Sequence, residues 1–347
     1  MRITDASPHG CWAEANEAAY VTTRMVLKLE RRGHSGKRRL HGHIGELPAK
    51  PVTLHLKCGD TLVLVRPETP CEAAGAPPDG KSAVARIPCT LPEVFTDVRA
   101  GERIWLDDGK IGGVIKSASE HEVEIEITHV PAKGARLGGD KGINLPDTTL
   151  RLSSLTPKDH EDLAFIAQHA DLVGFSFVHN AAGIHELQAR LAELGGERLG
   201  IVLKIETRKA FEELPKLLLA AMRSPRVGVM IARGDLAVEV GYERLAEIQE
   251  EILWICEAAH VPVIWATQVL EHLAKDGMPS RAEITDAAMG ERAECVMLNK
   301  GPHIVEAVRV LGDILNRMQD HQSKKRSMLR QLKLADLFFA RGERTVL

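Results

Sequence analysis

Three short stretches carry residue types that chemistry needs, at spacings a folded chain can use. Lys204 and Glu206 sit two apart at the end of the apolar run RLGIVLKIET, so on a β-strand their side chains share one face. Opposite charges at the end of an apolar strand are costly to bury unless something uses them. Arg233, Gly234 and Asp235 close the run VGVMIARGDL, and Thr267 and Gln268 follow in VPVIWATQVL. If these runs are neighbouring strands, Glu206 and Asp235 face one mouth. Their hard carboxylate oxygens, with water and substrate oxygens, suit magnesium or manganese. Lys204 adds a positive charge beside them, and Gly234 lets backbone N–H groups at a helix start approach a carboxylate or phosphate. Transferring a phosphoryl group, or making an enolate, builds negative charge on oxygens that such a set stabilises. Each stretch alone is an ordinary strand end; their occurrence in series points to an anion and metal site.

The elements that must position these residues follow from the pattern after Asn144. Apolar runs (ADLVGFSFV, RLGIVLKIE, RVGVMIARGD, VPVIWATQ, AECVMLNKG) alternate with amphipathic helical stretches. Five strand-helix units predict a parallel sheet, open or closed into a barrel, with the polar strand ends on one face. From about residue 50 to 130 the pattern changes to short alternating runs, VTLHL, TLVLV, SAVARI, RIWLD and EVEIEIT, which predict a small all-β module. The segment PETPCEAAGAPPDGK within it reads as a mobile loop. Nearer the start, a strand around Met25 to Leu29 precedes RRGHSGKRRLHGH, read as an exposed loop. The final QSKKRSMLRQLKLADLFFARGERTVL reads as a basic amphipathic helix and tail of the packing or subunit-contact kind.

Composition narrows the classes. With 347 residues, 44% of them hydrophobic, the chain can hold one large domain and a smaller one. A formal net charge of -3 gives no global field for nucleic acid or an anionic membrane, so an anion site must be local. Two tyrosines and seven phenylalanines argue against stacking platforms for single-stranded nucleic acid. The six cysteines include no CxxC pair and read as structural thiols of a reducing compartment. Neither a signal peptide nor a membrane-spanning run is found, and a soluble, cytoplasmic protein is expected.

In order and spacing, LGGDKGINLP, KIET, IARGDL, WATQVLEHL and MPSRAEITDAAMGERAECVML resemble the motifs of the pyruvate kinase family, and LDDGKI at 106 to 111 resembles a turn of that family's lid. The resemblance implies an α/β fold, a (β/α)8-type phosphoenolpyruvate/pyruvate barrel, incomplete as counted from this sequence, with an inserted small β-barrel lid domain. Implied divisions are 1-45 for the remnant of the first barrel strands and a loop, 46-138 for the lid, 139-322 for the main part of the barrel and 323-347 for the basic tail. The implied reaction is magnesium-dependent phosphoryl transfer from phosphoenolpyruvate to ADP, giving pyruvate and ATP. Lys204 would stabilise the transferred phosphoryl group and the enolate, and Glu206 and Asp235 would hold the metal. Arg233 and Arg2 fall among the implied substrate contacts. Gly234 and Asp235 would offer N–H groups to the substrate carboxylate, and Thr267 would bind that carboxylate and help deliver a proton. Lys141 would meet the nucleotide phosphates, with Asp108 on the nucleotide side of the lid. Arg281 lies in a motif found at a subunit contact in the family, which implies a homo-oligomer.

The amino-terminal part departs from the family pattern. Arg2, Ile3 and Thr4 stand where the family's second strand has arginine, an apolar residue and asparagine, so the ligands of a potassium ion are not recognisable. No GPxxRTG occurs near MVLKLERRGHSGKRRLHGHIG, where GKRRLHG places Leu40 at the arginine position, with Arg38 and Arg39 beside it. His179 stands where the family usually has arginine, and the carboxy-terminal regulatory domain is expected to be absent. Two other readings therefore stay open. One is a catalytically weakened paralogue acting as a binding or regulatory subunit, and the other is a metal-dependent lyase or aldolase working through a pyruvate enolate.

Overall fold

Clusters of β-branched and apolar residues, too short for helices, become the strands that carry the site. The computed structural model describes residues 53–67 and 84–319 with their side chains, helix backbone to 322, and before them four strands, for the most part as backbone. The chain divides into two compact units, Met1–Val52 and Thr53–Leu347.

In the first unit β1 (Arg2–Ser7) pairs antiparallel with β2 (Gly10–Glu14), and β3 (Val26–Gly33) with β4 (Gly36–His43). Two residues separate the members of each pair, and only antiparallel strands can be joined by so short a connection. Two expectations change. RRGHSGKRRLHGH belongs to a hairpin rather than a loop, and the strands of Arg2 and Met25 pair with β2 and β4 instead of adding to a parallel sheet.

The second unit opens with the β module. It comprises β5 (Leu54–Leu56), β6 (Thr61–Val65), β7 (Ala85–Pro88), helix α1 (Val94–Asp97), β8 (Arg103–Leu106), β9 (Ile111–Ala118), β10 (Glu122–His129), β11 (Ala135–Leu137) and β12 (Ile143–Asn144). Six strands form one sheet in the order β12-β8-β9-β10-β6-β7, and β11 pairs with β5. Alternation along β10 sends Val123, Ile125 and Ile127 inward, to a core shared with Leu62, Leu64, Ile104, Ile111 and Ile115. The expected mobile loop PETPCEAAGAPPDGK lies almost wholly outside the described residues, as does the basic tail beyond 322.

From α2 (Pro157–His169) onward strands and helices alternate: β13 (Leu172–Phe175), α3 (Ala181–Glu193), β14 (Gly200–Ile205), α4 (Arg208–Glu212), α5 (Leu214–Ala221), β15 (Val227–Ala232), α6 (Arg233–Val240), α7 (Leu245–Ala258), β16 (Val263–Ala266), α8 (Glu271–Asp276), α9 (Arg281–Met289), β17 (Cys295–Val296) and α10 (Ile304–Gln322). Local chemistry sets the helix starts. Thr156 and Asp159 form a capping box with Pro157 at the first position of α2, Asn180 caps α3, and Ser280 with Glu283 caps α9.

The strands lie in the order β13-β14-β15-β16-β17, all parallel, and curl as part of an α/β barrel. Register decides which face each side chain takes. Leu203, Val229 and Val263 form one cross-strand row within the helix-covered core, together with Ile201, Ile205, Ile231 and Trp265. Each fully buried side chain of this kind contributes about 1.5–3 kcal/mol. Lys204, Met230 and Ile264 form the adjacent row and therefore face the other side of the sheet. The described strands give five of the eight that a closed barrel needs.

Among the described residues no helix is long and apolar enough to cross a membrane. Cys89 and Cys256 are buried, whereas Cys58 and Cys295 are exposed. Burial, with the Glu294 charge as a lesser cause, pushes the Cys256 thiol up to about 12. Since the thiolate is the nucleophile, alkylation of the native protein at about pH 8 is expected to label Cys58 and Cys295 and spare Cys256. Peptide mapping by mass spectrometry checks this, and labelling of Cys256 as fast as Cys295 would contradict it.

Candidate active site

At the end of β14 the Lys204 ammonium lies 2.9 Å from Glu206 Oε1 and donates to Ser176 Oγ at 2.9 Å. Glu206 is only 3% exposed. Its other oxygen accepts the Phe177 backbone N–H at 2.5 Å, so both oxygens of the buried carboxylate are partnered. Phe177 adopts a left-handed φ of 49°, unusual for a bulky residue, in the turn that aims this N–H at Glu206.

One strand over, β15 runs directly into α6, which places Gly234 and Asp235 in the first helical turn. The Gly234 N–H donates to Thr267 Oγ1 at 2.9 Å. That leaves the Thr267 hydroxyl proton free to be donated elsewhere. Asp235 accepts a long hydrogen bond from Asn144 Nδ2, 3.4 Å away, and the same amide lies 3.5 Å from Glu239 Oε1.

The donor set suits a hard divalent cation. Glu206 follows Ile205, which pairs with Ile231, and Asp235 follows β15 within one turn, so the two carboxylates stand at neighbouring strand ends. Each retains lone pairs beyond the bonds described. Among the described residues no group of three or more His, Cys, Asp or Glu side chains could hold a metal, so a cation there would draw its other ligands from water and substrate.

The structure corrects the reading of Arg233 as a substrate contact. The residue is buried, and its guanidinium turns into the protein. Nε donates to the Ala266 carbonyl at 2.8 Å, and Nη2 to the Thr267 carbonyl at 2.5 Å and Asp286 Oδ2 at 2.9 Å; Nη1 bonds the other Asp286 oxygen. The plane lies over the Trp265 ring, 4.6 Å from its centroid. Arg233 thus holds the end of β16, where Thr267 and Gln268 take left-handed φ values of 65° and 58°.

On the β module the LDDGKI turn places Asp107 and Asp108 at positive φ, with Asp107 buried and Asp108 exposed. Asp107 binds Lys141 at 2.9 Å and Lys110 at 3.1 Å. The hydrogen bond from Lys141 is the main cause that holds the Asp107 carboxyl below the usual range, and it raises Lys141 in turn. Gly109 has φ 80°, and a Cβ there would meet the Tyr242 hydroxyl and Val238 at 2.9 Å, so the tip of this turn rests against the end of α6.

Lys204, Glu206, Gly234, Asp235 and Thr267 therefore stand at consecutive strand ends, Lys141 and Asp108 belong to the β module, and Arg281 is exposed at the start of α9. The side chain of Arg2 lies outside the described residues, as do those of Arg38 and Arg39. Sequence reasoning missed Ser176, Asn144, Asp107 and Asp286. Ser176 and Asn144 lie within recognisable stretches and carried a signal, whereas Asp286 became meaningful only once α9 was placed against Arg233.

The family description "Pyruvate kinase, barrel domain" matches residues 74–304, about two thirds of the chain. This chain belongs to the pyruvate kinase family. It is 32% identical over 248 residues to a pyruvate kinase of Bacillus licheniformis, covering 70% of this chain and 41% of that protein. A pyruvate kinase of Agrobacterium vitis is 33% identical over 251 residues, covering 70% and 49%. That of Thermococcus litoralis is 30% identical over 321 residues, covering 90% and 63%. The chain thus spans about half the length of the curated relatives it matches.

Proposed function

We propose that the chain is a phosphotransferase that makes pyruvate and ATP from phosphoenolpyruvate and ADP with magnesium or manganese. The observation that carries this reading is the Lys204 ammonium beside the buried Glu206 carboxylate, one strand from Asp235 and the Gly234–Thr267 contact. The substrate carboxylate would meet the Thr267 hydroxyl and the N–H groups opening α6. As the bond from phosphorus to the enol oxygen breaks and one to the terminal ADP oxygen forms, Lys204 would stabilise negative charge first on the phosphoryl oxygens and then on the enolate. Proton delivery to the enol carbon, aided by Thr267, would then give pyruvate. A divalent cation held by Glu206 and Asp235 would supply Lewis-acid stabilisation of the same oxygens.

In this reading the β module is a lid, with Lys141 and Asp108 on its nucleotide side, and chains associate through the surface that includes Arg281. The divisions near residues 45 and 322 remain part of the proposal, as does a cytoplasmic location, with the lid carried on to β12, which pairs with β8. Any potassium site would depend on ligands not recognised in the sequence.

The pairing of β1 with β2 and of β3 with β4 favours a second reading, a weakened paralogue that binds substrate without efficient turnover, because the resemblance expects a phosphate-binding arginine from this region. One assay separates the two. ATP formation from phosphoenolpyruvate and ADP is expected with magnesium and to be lost with chelator; no ATP, with phosphoenolpyruvate still bound, would leave the second reading.

A further inference from the structure

Glu239 lies one helical turn beyond Asp235 on α6, half-buried, and no step of the proposed reaction uses it. Residues four apart on a helix share a face, so the two carboxylates stand on the same side of α6. Burial pushes the Glu239 carboxyl up, because a charge is costly to hold away from water. Its partners show where that charge is held, and both lead to the carboxylates that suit a metal.

The first partner is the backbone N–H of Arg208, which donates to the Glu239 carboxylate. Arg208 opens α4 two residues after Glu206, at a point where helix N–H groups have no carbonyl of their own helix to bond. Thr207 Oγ1 accepts the Ala210 N–H at 3.1 Å and Glu239 accepts that of Arg208, so the chain leaving Glu206 is fixed from two sides. The second partner is Asn144, 6% exposed, whose Nδ2 lies 3.5 Å from Glu239 Oε1 and 3.4 Å from Asp235 Oδ1. An amide nitrogen carries two protons, so this one can serve both carboxylates. Asn144 is held in turn by its backbone, which pairs with Trp105 where β12 meets β8.

We infer that Glu239 is a positioning residue, a strut that sets the spacing of Glu206 and Asp235 by tying the start of α4 to the Asn144 amide. The inference rests on the reading of Glu206 and Asp235 as metal ligands and adds what fixes them relative to each other. A cation of the magnesium class demands near-ideal ligand geometry, so a loosened carboxylate costs affinity. Groups that orient metal ligands from behind typically contribute about ten- to a hundredfold to that affinity.

Titration of the full chain with manganese(II) alone, followed by the electron paramagnetic resonance of the free ion, tests this without turnover. Glu239→Ala should weaken manganese binding by about tenfold, and Asn144→Ala, which removes no charge, by a similar factor. The double variant should bind within about twofold of the weaker single one, because both changes cut the same tie. Glu239→Gln loses the charge but keeps an acceptor oxygen for the Arg208 N–H, and should stay within about threefold of wild type. Where Glu239→Ala does not fold, Glu239→Asp, which keeps the charge and falls one methylene short, should weaken manganese in its place. Unchanged affinity on shortening or removing the Glu239 side chain, additive losses in the double variant, or Glu239→Gln as weak as Glu239→Ala would each overturn the inference. The last would mean that charge alone acts, and all three leave the phosphotransferase reading standing. A wild type that binds no manganese would overturn the metal reading of Glu206 and Asp235 together with the strut.

Discussion

Lys204→Met is expected to lower ATP formation from phosphoenolpyruvate by about a thousandfold or more, since one preorganised donor aimed at developing charge contributes about a hundred- to a thousandfold and Lys204 brings a full charge. The fold should survive. Methionine keeps much of the apolar stem, and Glu206 retains the Phe177 N–H after losing the ammonium. Taking the ammonium from a buried carboxylate should cost about 3 kcal/mol, still below the stability of about 5–15 kcal/mol of an ordinary domain. Coupled assay of pyruvate production gives the rate, and circular dichroism with thermal melting checks the fold. A variant with unchanged melting and a rate within about tenfold of wild type would remove Lys204 from its role.

The parts of this site that the sequence reveals share one property: they are local. Lys204 and Glu206 share a face because strand periodicity is two, and Asp235 lies at a helix start because an apolar run ends beside it. The five parallel strands were legible as apolar runs for the same reason. Strand β9 was not, since IGGVIKSA carries two glycines that weaken the pattern. Their purpose is tertiary: a Cβ on Gly112 would fall 2.6 Å from the Trp105 ring, and one on Gly113 2.5 Å from Ile125. Basic residues likewise hid the β3–β4 hairpin, because a charge run reads as a loop until its backbone pairing is known. Arg233 shows the limit most clearly. At a strand end it looks like an anion-binding side chain, and its partner Asp286 lies 53 residues further on, in a helix whose pattern predicts no contact with it.

That ion pair carries the second large effect. Asp286→Ala is expected to destabilise the protein by about 3 kcal/mol, because it leaves a buried guanidinium without its carboxylate. Trp265 and the carbonyls of Ala266 and Thr267 still face Arg233, but dipoles and a ring offset a full charge only in part. The consequence should reach the chemistry. Thr267 holds a left-handed backbone and its carbonyl is fixed by Arg233, so loosening the guanidinium lets the hydroxyl drift from Gly234. Misplacement of about 1 Å can cost about a hundredfold in rate, and the loss should fall on kcat far more than on the KM for ADP. Asp286→Asn keeps one acceptor oxygen and should recover part of both losses, whereas Arg233→Lys should recover little, since one ammonium cannot span two carbonyls and a carboxylate. Urea unfolding gives the stability term, and steady-state kinetics well below the melting range give the second. If Asp286→Ala unfolds more readily yet keeps the wild-type kcat, the ion pair supports only the fold, and Thr267 is held in place by Gly234 and its own strand.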